Sequence, residues 1–164
     1  MDLLQEYIVP WIISNSIAIL LLLVAIWRPR LARFLFMLIF AWASWLNYTT
    51  AHNNPEDYLN YASFTPFDSL KDFINGWFHQ NITLMVTAIS FGQGVIALGM
   101  LLKGRWVKLA CLGAIIFLLA IAPLGVGAAF PFSIIAGAAS YFILKKDRLD
   151  YLWRGRAKNL VDVH

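Results

Sequence analysis

Apolar stretches of helical length alternate with short charged segments along this chain. Residues 7–27, 34–55, 73–102 and 109–144 contain no Asp, Glu, Lys or Arg. A helix needs about 20 apolar residues to cross the roughly 30 Å hydrocarbon layer of a bilayer. The first stretch predicts one span, about 7–27. The second predicts one over about 31–50, ended by His52-Asn53-Asn54-Pro55. The third predicts an interfacial lead-in followed by a span at about 81–102. The fourth holds 36 residues, which as one helix would measure about 54 Å, too long for a single crossing. Its middle reads Pro123-Leu124-Gly125-Val126-Gly127-Ala128-Ala129-Phe130-Pro131. Pro123 removes a helical hydrogen bond, the glycines favour a turn, and Pro131 suits the first turn of a new helix. Two short spans, about 107–123 and 131–145, are therefore expected. The predicted fold class is all-α: a polytopic membrane bundle of five transmembrane helices, a four-helix core plus an N-terminal helix.

Composition agrees. The 164 residues are 60% hydrophobic and 13% charged, against about 25% charged in an ordinary soluble domain. Most of the surface must face something other than water. One membrane domain, 1–164, is expected, with an outer loop at 51–80 and a tail at 146–164. The N-terminal MDLLQEY is acidic and lacks the basic n-region of a cleavable signal, so residues 7–27 are expected to remain as a membrane helix.

Charge assigns the topology. Arg28, Arg30 and Arg33, then Lys103, Arg105 and Lys108, then six basic residues from Lys145 to Lys158 form three clusters. Five spans put all three on one side, twelve basic residues against Asp147, Asp150 and Asp162. The other side holds Lys71 against Asp2, Glu6, Glu56, Asp57, Asp68 and Asp72. The two faces carry +9 and −5, which make up the net +4. Four spans would place the C-terminal basic residues outside, against the positive-inside rule. The expectation is a multi-pass protein of a plasma (bacterial inner) membrane, N-terminus out and C-terminus cytoplasmic. Trp27, Trp106 and Trp153 fall near the inner interface, and Trp11, Trp45 and Trp77 near the outer one, as aromatic belts do. The basic residues border apolar spans and form no broad face, so nucleic acid is not an expected partner. The tail, with Leu149, Tyr151, Leu152 and Trp153 among its charges, is suited to anionic headgroups.

Within the outer loop, Phe67, Leu70, Phe73, Ile74 and Trp77 recur at helical spacing, while Asp68, Lys71 and Asp72 take the other side. A short interfacial helix is expected there, tucked down by its aromatics. His52 and His79 accompany Glu56 and Asp57, residue types that ligate zinc. Pro55 disrupts a helical His52–Glu56 pair and no tight ligand spacing occurs, so no metal site is assigned. Gly92-Gln93-Gly94 follows no strand and is not a nucleotide fingerprint.

Ionisable groups inside a bilayer mark proton relays and ion paths. Apart from the thiol of Cys111, the interior of the spans is expected to carry none, with Arg33 counted in the basic cluster at the membrane edge. No catalytic residue is assigned. A single cysteine precludes an intramolecular disulfide. Thr83, Thr87, Ser90, Gly94 and Ala97 form a small stripe on the third span, and Ala110/Ala114 and Ser133/Gly137/Ser140 offer similar faces. Such faces let helices approach and hydrogen-bond. The residues proposed to line an outward-facing pocket are Asn15, Ser44, Asn47 and Gln93, with His52 and His79 in the loop beside it. A pocket of this kind would hold the polar head of a lipid, a quinone or another amphiphile.

From about Leu31 to Leu144 the layout resembles the DoxX-like group of small bacterial membrane proteins. The resemblance rests on Ala41, Ala43 and Ser44 near one helix end, then Pro55-Glu56-Asp57-Tyr58. It continues with Ala97-Leu98-Gly99-Met100-Leu101-Leu102, a basic turn, and a helix ending Ile121-Ala122-Pro123. It implies a four-helix bundle and association with quinone- or thiol-linked redox complexes. Asn47 and Tyr48 stand where that group carries a His or Lys, and no cysteine pair is present. The residues themselves favour a non-catalytic bundle that binds a lipid-like molecule or serves as an accessory subunit, with other membrane subunits or a second copy as partners. A quinone- or thiol-linked oxidoreductase subunit and a small-solute transporter are the alternatives.

Overall fold

The computed structural model describes residues 3–153, and every regular element among them is helical. Five long helices follow the apolar stretches: α1 (Leu3–Trp27), α2 (Pro29–Asn53), α5 (Ile82–Leu101), α6 (Arg105–Ile121) and α7 (Phe132–Lys146). Between α2 and α5 come a 3₁₀ segment (Pro55–Asn60), α3 (Tyr61–Phe64), α4 (Asp68–Phe73) and a π-helical turn (Ile74–Phe78). A second 3₁₀ segment, Ala122–Ala128, links α6 to α7.

Four segments are long and apolar enough to cross a membrane: Ile8–Trp27, Pro29–Asn53, Ile82–Leu101 and Arg105–Ala128. The last extends α6 through its 3₁₀ continuation. Helix α7 has 15 residues, about 22 Å at the standard helical rise, and is shorter than those four. Pro29 sits in the first turn of α2, where its missing N–H is not needed. Asn54 and Pro55 end that helix, and Pro123 marks the change from α6 into the tighter 3₁₀ winding.

The long helices pack as a ring in which α1 meets α2, α2 meets α5, α5 meets α6, α6 meets α7, and α7 returns to α1. Small side chains set the closest approaches. Ser44 of α2 donates to the Ser90 carbonyl at 2.8 Å, and Ser90 donates back to the Ser44 carbonyl at 2.6 Å. A Cβ on Gly94 would stand 3.2 Å from Ser44 Oγ, and one on Gly99 would stand 2.7 Å from Ala110 Cβ. Thr83 donates to the Ala51 carbonyl, and Ser140 of α7 to the Cys111 carbonyl of α6. The stripe on α5 is thus a helix-packing face toward α2.

One end of the ring gathers the basic clusters and is filled. Phe36, Met100, Val107, Cys111 and Ile143 are buried there together with Ala25, Ala32, Ala114 and Ala139. The chain after α7 folds back across this end. Arg30 donates to the carbonyls of Tyr151 and Leu152, Lys146 to that of Ile26, and the Gly104 N–H to that of Leu149. Residues 154–164, the distal part of the predicted tail, lie outside the described residues.

Arg33 corrects the expectation that no charge enters the bundle. Its side chain is fully buried, paired to Asp147 Oδ1 at 3.1 Å and hydrogen-bonded to the Asp150 carbonyl. Asp147, itself 4% exposed, also accepts from the Leu149 N–H at 2.5 Å. The cluster reading placed Arg33 at the membrane edge because a pairing with a residue 114 positions away leaves no local mark. A buried guanidinium requires such a partner.

The loop end is built differently. The predicted apolar set Phe67, Leu70, Phe73, Ile74 and Trp77 does not share one face. Ile74 and Phe78 turn inward with half-buried Leu70, while Phe67, Phe73 and Trp77 stay exposed. The π turn adds a residue to the helical winding and so redirects the side chains that follow it.

Candidate functional site

Between the filled end and the loop lies a cavity of about 700 Å³, within the size range of small-molecule sites. Its floor is the top of the packed core: Leu21, Phe36, Phe40, Leu118 and Ala136 belong to both. Phe40 and Phe117 meet edge-to-face there, with ring centroids 5.9 Å apart. The walls come from all five long helices. On the side between α1 and α2, Ile17 and Trp42 form part of the wall and are 43% and 59% exposed. The cavity therefore reaches the apolar outer surface of the bundle there.

The loop supplies the roof. Tyr58, Tyr61, Leu70, Ile74 and Phe78 close it from one side, and Leu124, Ala128 and Ala129 from the other. The two halves of the roof are joined: Thr65 donates to the Pro123 carbonyl at 2.8 Å. Gly125 holds a left-handed φ of +68°, and a Cβ there would stand 2.5 Å from the Phe64 carbonyl oxygen. At Gly127 a Cβ would stand 2.6 Å from the Tyr61 ring. Only glycine fits this contact between the 3₁₀ segment and α3.

Polar groups on the cavity wall are few and linked. Tyr58 donates to Asn47 Oδ1 at 2.9 Å, and Asn47 Nδ2 donates to Gln93 Oε1 at 2.8 Å. Gln93 is 3% exposed, and its Oε1 is the acceptor at the end of this chain of bonds. Burial pushes the Tyr58 phenol up to about 12, with Tyr61 adding to the effect, so it stays a hydrogen-bond donor at neutral pH. Ser14 of α1 adds a hydroxyl to the lining.

Of the six residues proposed for a pocket, the structure brings Asn47 and Gln93 together on the cavity wall. The other four are elsewhere. Asn15 is turned toward the link before α7, donating to the carbonyls of Trp11 and Ala129, while Trp11 donates to that of Phe130. Ser44 is consumed in the α2–α5 contact. The ring of His52 packs on Tyr48 at 4.3 Å and its Nδ1 lies 2.7 Å from the Tyr48 carbonyl. His79 pairs with Glu56 at 3.4 Å on the exposed face of the loop. Among the described residues no three His, Cys, Asp or Glu side chains converge as a metal set.

Sequence reasoning missed Tyr58, Tyr61 and the aromatic floor. Tyr58 carried a readable signal, being an aromatic flanked by Asp57 and Asn60 and following the helix stop at Pro55.

No family model matches the chain, and no curated protein or solved structure matches it.

Proposed function

We propose that this chain is a small, non-catalytic membrane protein that holds one lipid-like amphiphile in the cavity beneath its loop. The observation that carries the proposal is the cavity itself. It is large, almost wholly apolar, continuous with the lipid-facing surface between α1 and α2, and marked by one linked polar group at Asn47 and Gln93. An apolar chain in such a space loses contact with nothing it prefers, and the amides orient its polar end.

In this proposal α7 is a fifth crossing, with the loop end outside and the basic end in the cytoplasm. The support is the charge bias, since every Lys and Arg among the described residues except Lys71 lies at the basic end. Phe67, Phe73 and Trp77, with Phe73 and Trp77 stacked at 5.8 Å, would sit among the outer headgroups.

The alternatives have less support. The basic end is closed by Arg33, Asp147 and the returning chain, which counts against a through-path for a solute. Cys111 is fully buried in the filled core, out of reach of a thiol partner. A quinone remains one member of the amphiphile class, and the redox role implied by the DoxX-like resemblance would need a partner subunit.

The test is native mass spectrometry of protein extracted gently from its membrane. An adduct of lipid mass is expected, and the lining variant Ala43→Phe, which places a ring inside the cavity, is expected to weaken its retention. Wild-type protein that emerges ligand-free and takes up no added amphiphile would refute the proposal.

A further inference from the structure

We infer that the ligand is an acyl amphiphile whose chain fills the cavity, whose carbonyl oxygen meets Gln93, and whose uncharged or cationic head enters a second, smaller chamber beyond Tyr58 that carries the Asp57 carboxylate. This rests on the lipid-binding reading above and narrows it to a chemical class.

The second chamber measures about 210 Å³ and borders the exposed loop residues Asp57 and Asn60. Asn47, Tyr58 and Tyr61 line both spaces, so these three side chains are the partition between them. Beyond the partition Thr50, Asp57 and Asn60 join Leu46, Phe64 and Gly127, so the wall is mixed and richer in polar groups than that of the cavity. Two adjoining chambers, the second carrying the larger share of polar groups, suit a molecule with one apolar and one polar end.

Charge selects the head. No Lys or Arg lines either chamber among the described residues. The loop's basic residue, Lys71, is held by Asp68 at 2.8 Å, and His79 faces Glu56. A carboxylate or phosphate head would meet the Asp57 carboxylate with no counter-charge, an arrangement that like-charge repulsion disfavours. A hydroxyl or amine head can donate to Asp57 and Asn60 instead.

The neck of the ligand is set by Gln93. Its Oε1 accepts from Asn47, which leaves the amide nitrogen of this cavity-lining residue to donate to a ligand acceptor. Gln93 is bonded directly to Asn47 of the partition and, through Asn47, is two hydrogen bonds from Tyr58. An ester or amide carbonyl next to the head group is the acceptor found at that place in a common acyl amphiphile.

The experiment uses the full chain, delipidated in detergent and offered monopalmitoyl glycerol, palmitate and hexadecylamine, with binding read by native mass spectrometry at neutral pH. Monopalmitoyl glycerol and the amine are expected to be retained at least about tenfold over palmitate. Asp57→Lys is expected to reverse that order. Asp57 is exposed, so this variant tests the head group without disturbing the core. Gln93→Leu is expected to weaken monopalmitoyl glycerol about tenfold, the loss of one hydrogen bond from the amide. It should leave hexadecylamine, which has no carbonyl, unchanged. Equal retention of all three probes by the wild type would overturn the head-group inference while leaving a lipid-binding cavity in place. Failure of every probe to bind would remove both.

Discussion

At the basic end of the ring, Phe36, Met100, Val107 and Ile143 fill the axis, with alanines letting the helices close around them. At the loop end the same five helices stand around an unfilled space roofed by residues 58–78 and 124–129. Both ends are covered by a segment that folds back. The cover at the basic end is held by a buried ion pair and by carbonyls accepting from Arg30, Arg33 and Lys146. The cover at the loop end is held by aromatic packing, the Tyr58 hydroxyl on Asn47, the Thr65 hydroxyl on the Pro123 carbonyl and two glycine contacts, with no ion pair to the helices among the described residues. The difference separates a filled, ion-paired end of the molecule from a hollow one. Packing to interior density leaves no room for a guest, whereas a roof fastened mainly by apolar contact can open at modest cost.

The largest effect should come from the closed end. Asp147→Ala leaves the Arg33 guanidinium buried without its partner, and removing one member of such a pair costs about 3–5 kcal/mol. Thermal unfolding in detergent should register that loss, and an unchanged midpoint would show that the pair does not hold this end together.

Next in size is a contrast between two alanines. Ala114 is fully buried in the filled half, so Ala114→Leu should cost about 1–3 kcal/mol by overpacking. Ala43 lines the cavity, and Ala43→Leu has space to enter, so stability should change by less than about 1 kcal/mol. Equal destabilisation by the two would erase the distinction between a filled and a hollow end.

Gly125→Ala tests the roof. The backbone conformation alone disfavours any other residue by about 1–2 kcal/mol, and the new Cβ would meet the Phe64 carbonyl. Faster hydrogen exchange across residues 55–81, with α6 and α7 unchanged near the basic end, is the expected signature. Exchange that rises uniformly would mean the roof is not a separate unit.

The last effect is confined to alkaline pH and is absent under neutral conditions. The Tyr58 phenol ionises at about 12 when folded and near 10.0 when free. The unfolded chain therefore loses this proton first, so stability falls as pH rises from about 10 toward 12 and is constant from this source below about 9. In Tyr58→Phe that alkaline component of the decline should disappear, leaving the contribution of other groups.

Much of the architecture was readable from spacing alone. Charge-free stretches located the long helices, Pro55 located the end of α2, and Pro123 located the break after α6. Asn47 and Gln93 could be singled out because polar side chains are scarce in apolar helices and each demands a partner. The neighbours of each helix were not readable. In a chain of this composition, positions facing lipid and positions facing the core are equally apolar. Phe91 is 74% exposed and Phe36 is 1% exposed, although both are phenylalanines within apolar helices. Periodicity that separates the two faces in a soluble helix is therefore weak here.

The sequence by itself determined an all-helical membrane-type chain, its helix breaks and its strong charge bias, because these depend on local chemistry and on the length needed to cross an apolar layer. Only the tertiary structure decided that Arg33 lies in the core against Asp147, that Tyr58 closes onto Asn47, and that the loop roofs a cavity. Each depends on contacts between helices far apart in the chain, and those contacts are fixed by the summed fit of side chains across the ring.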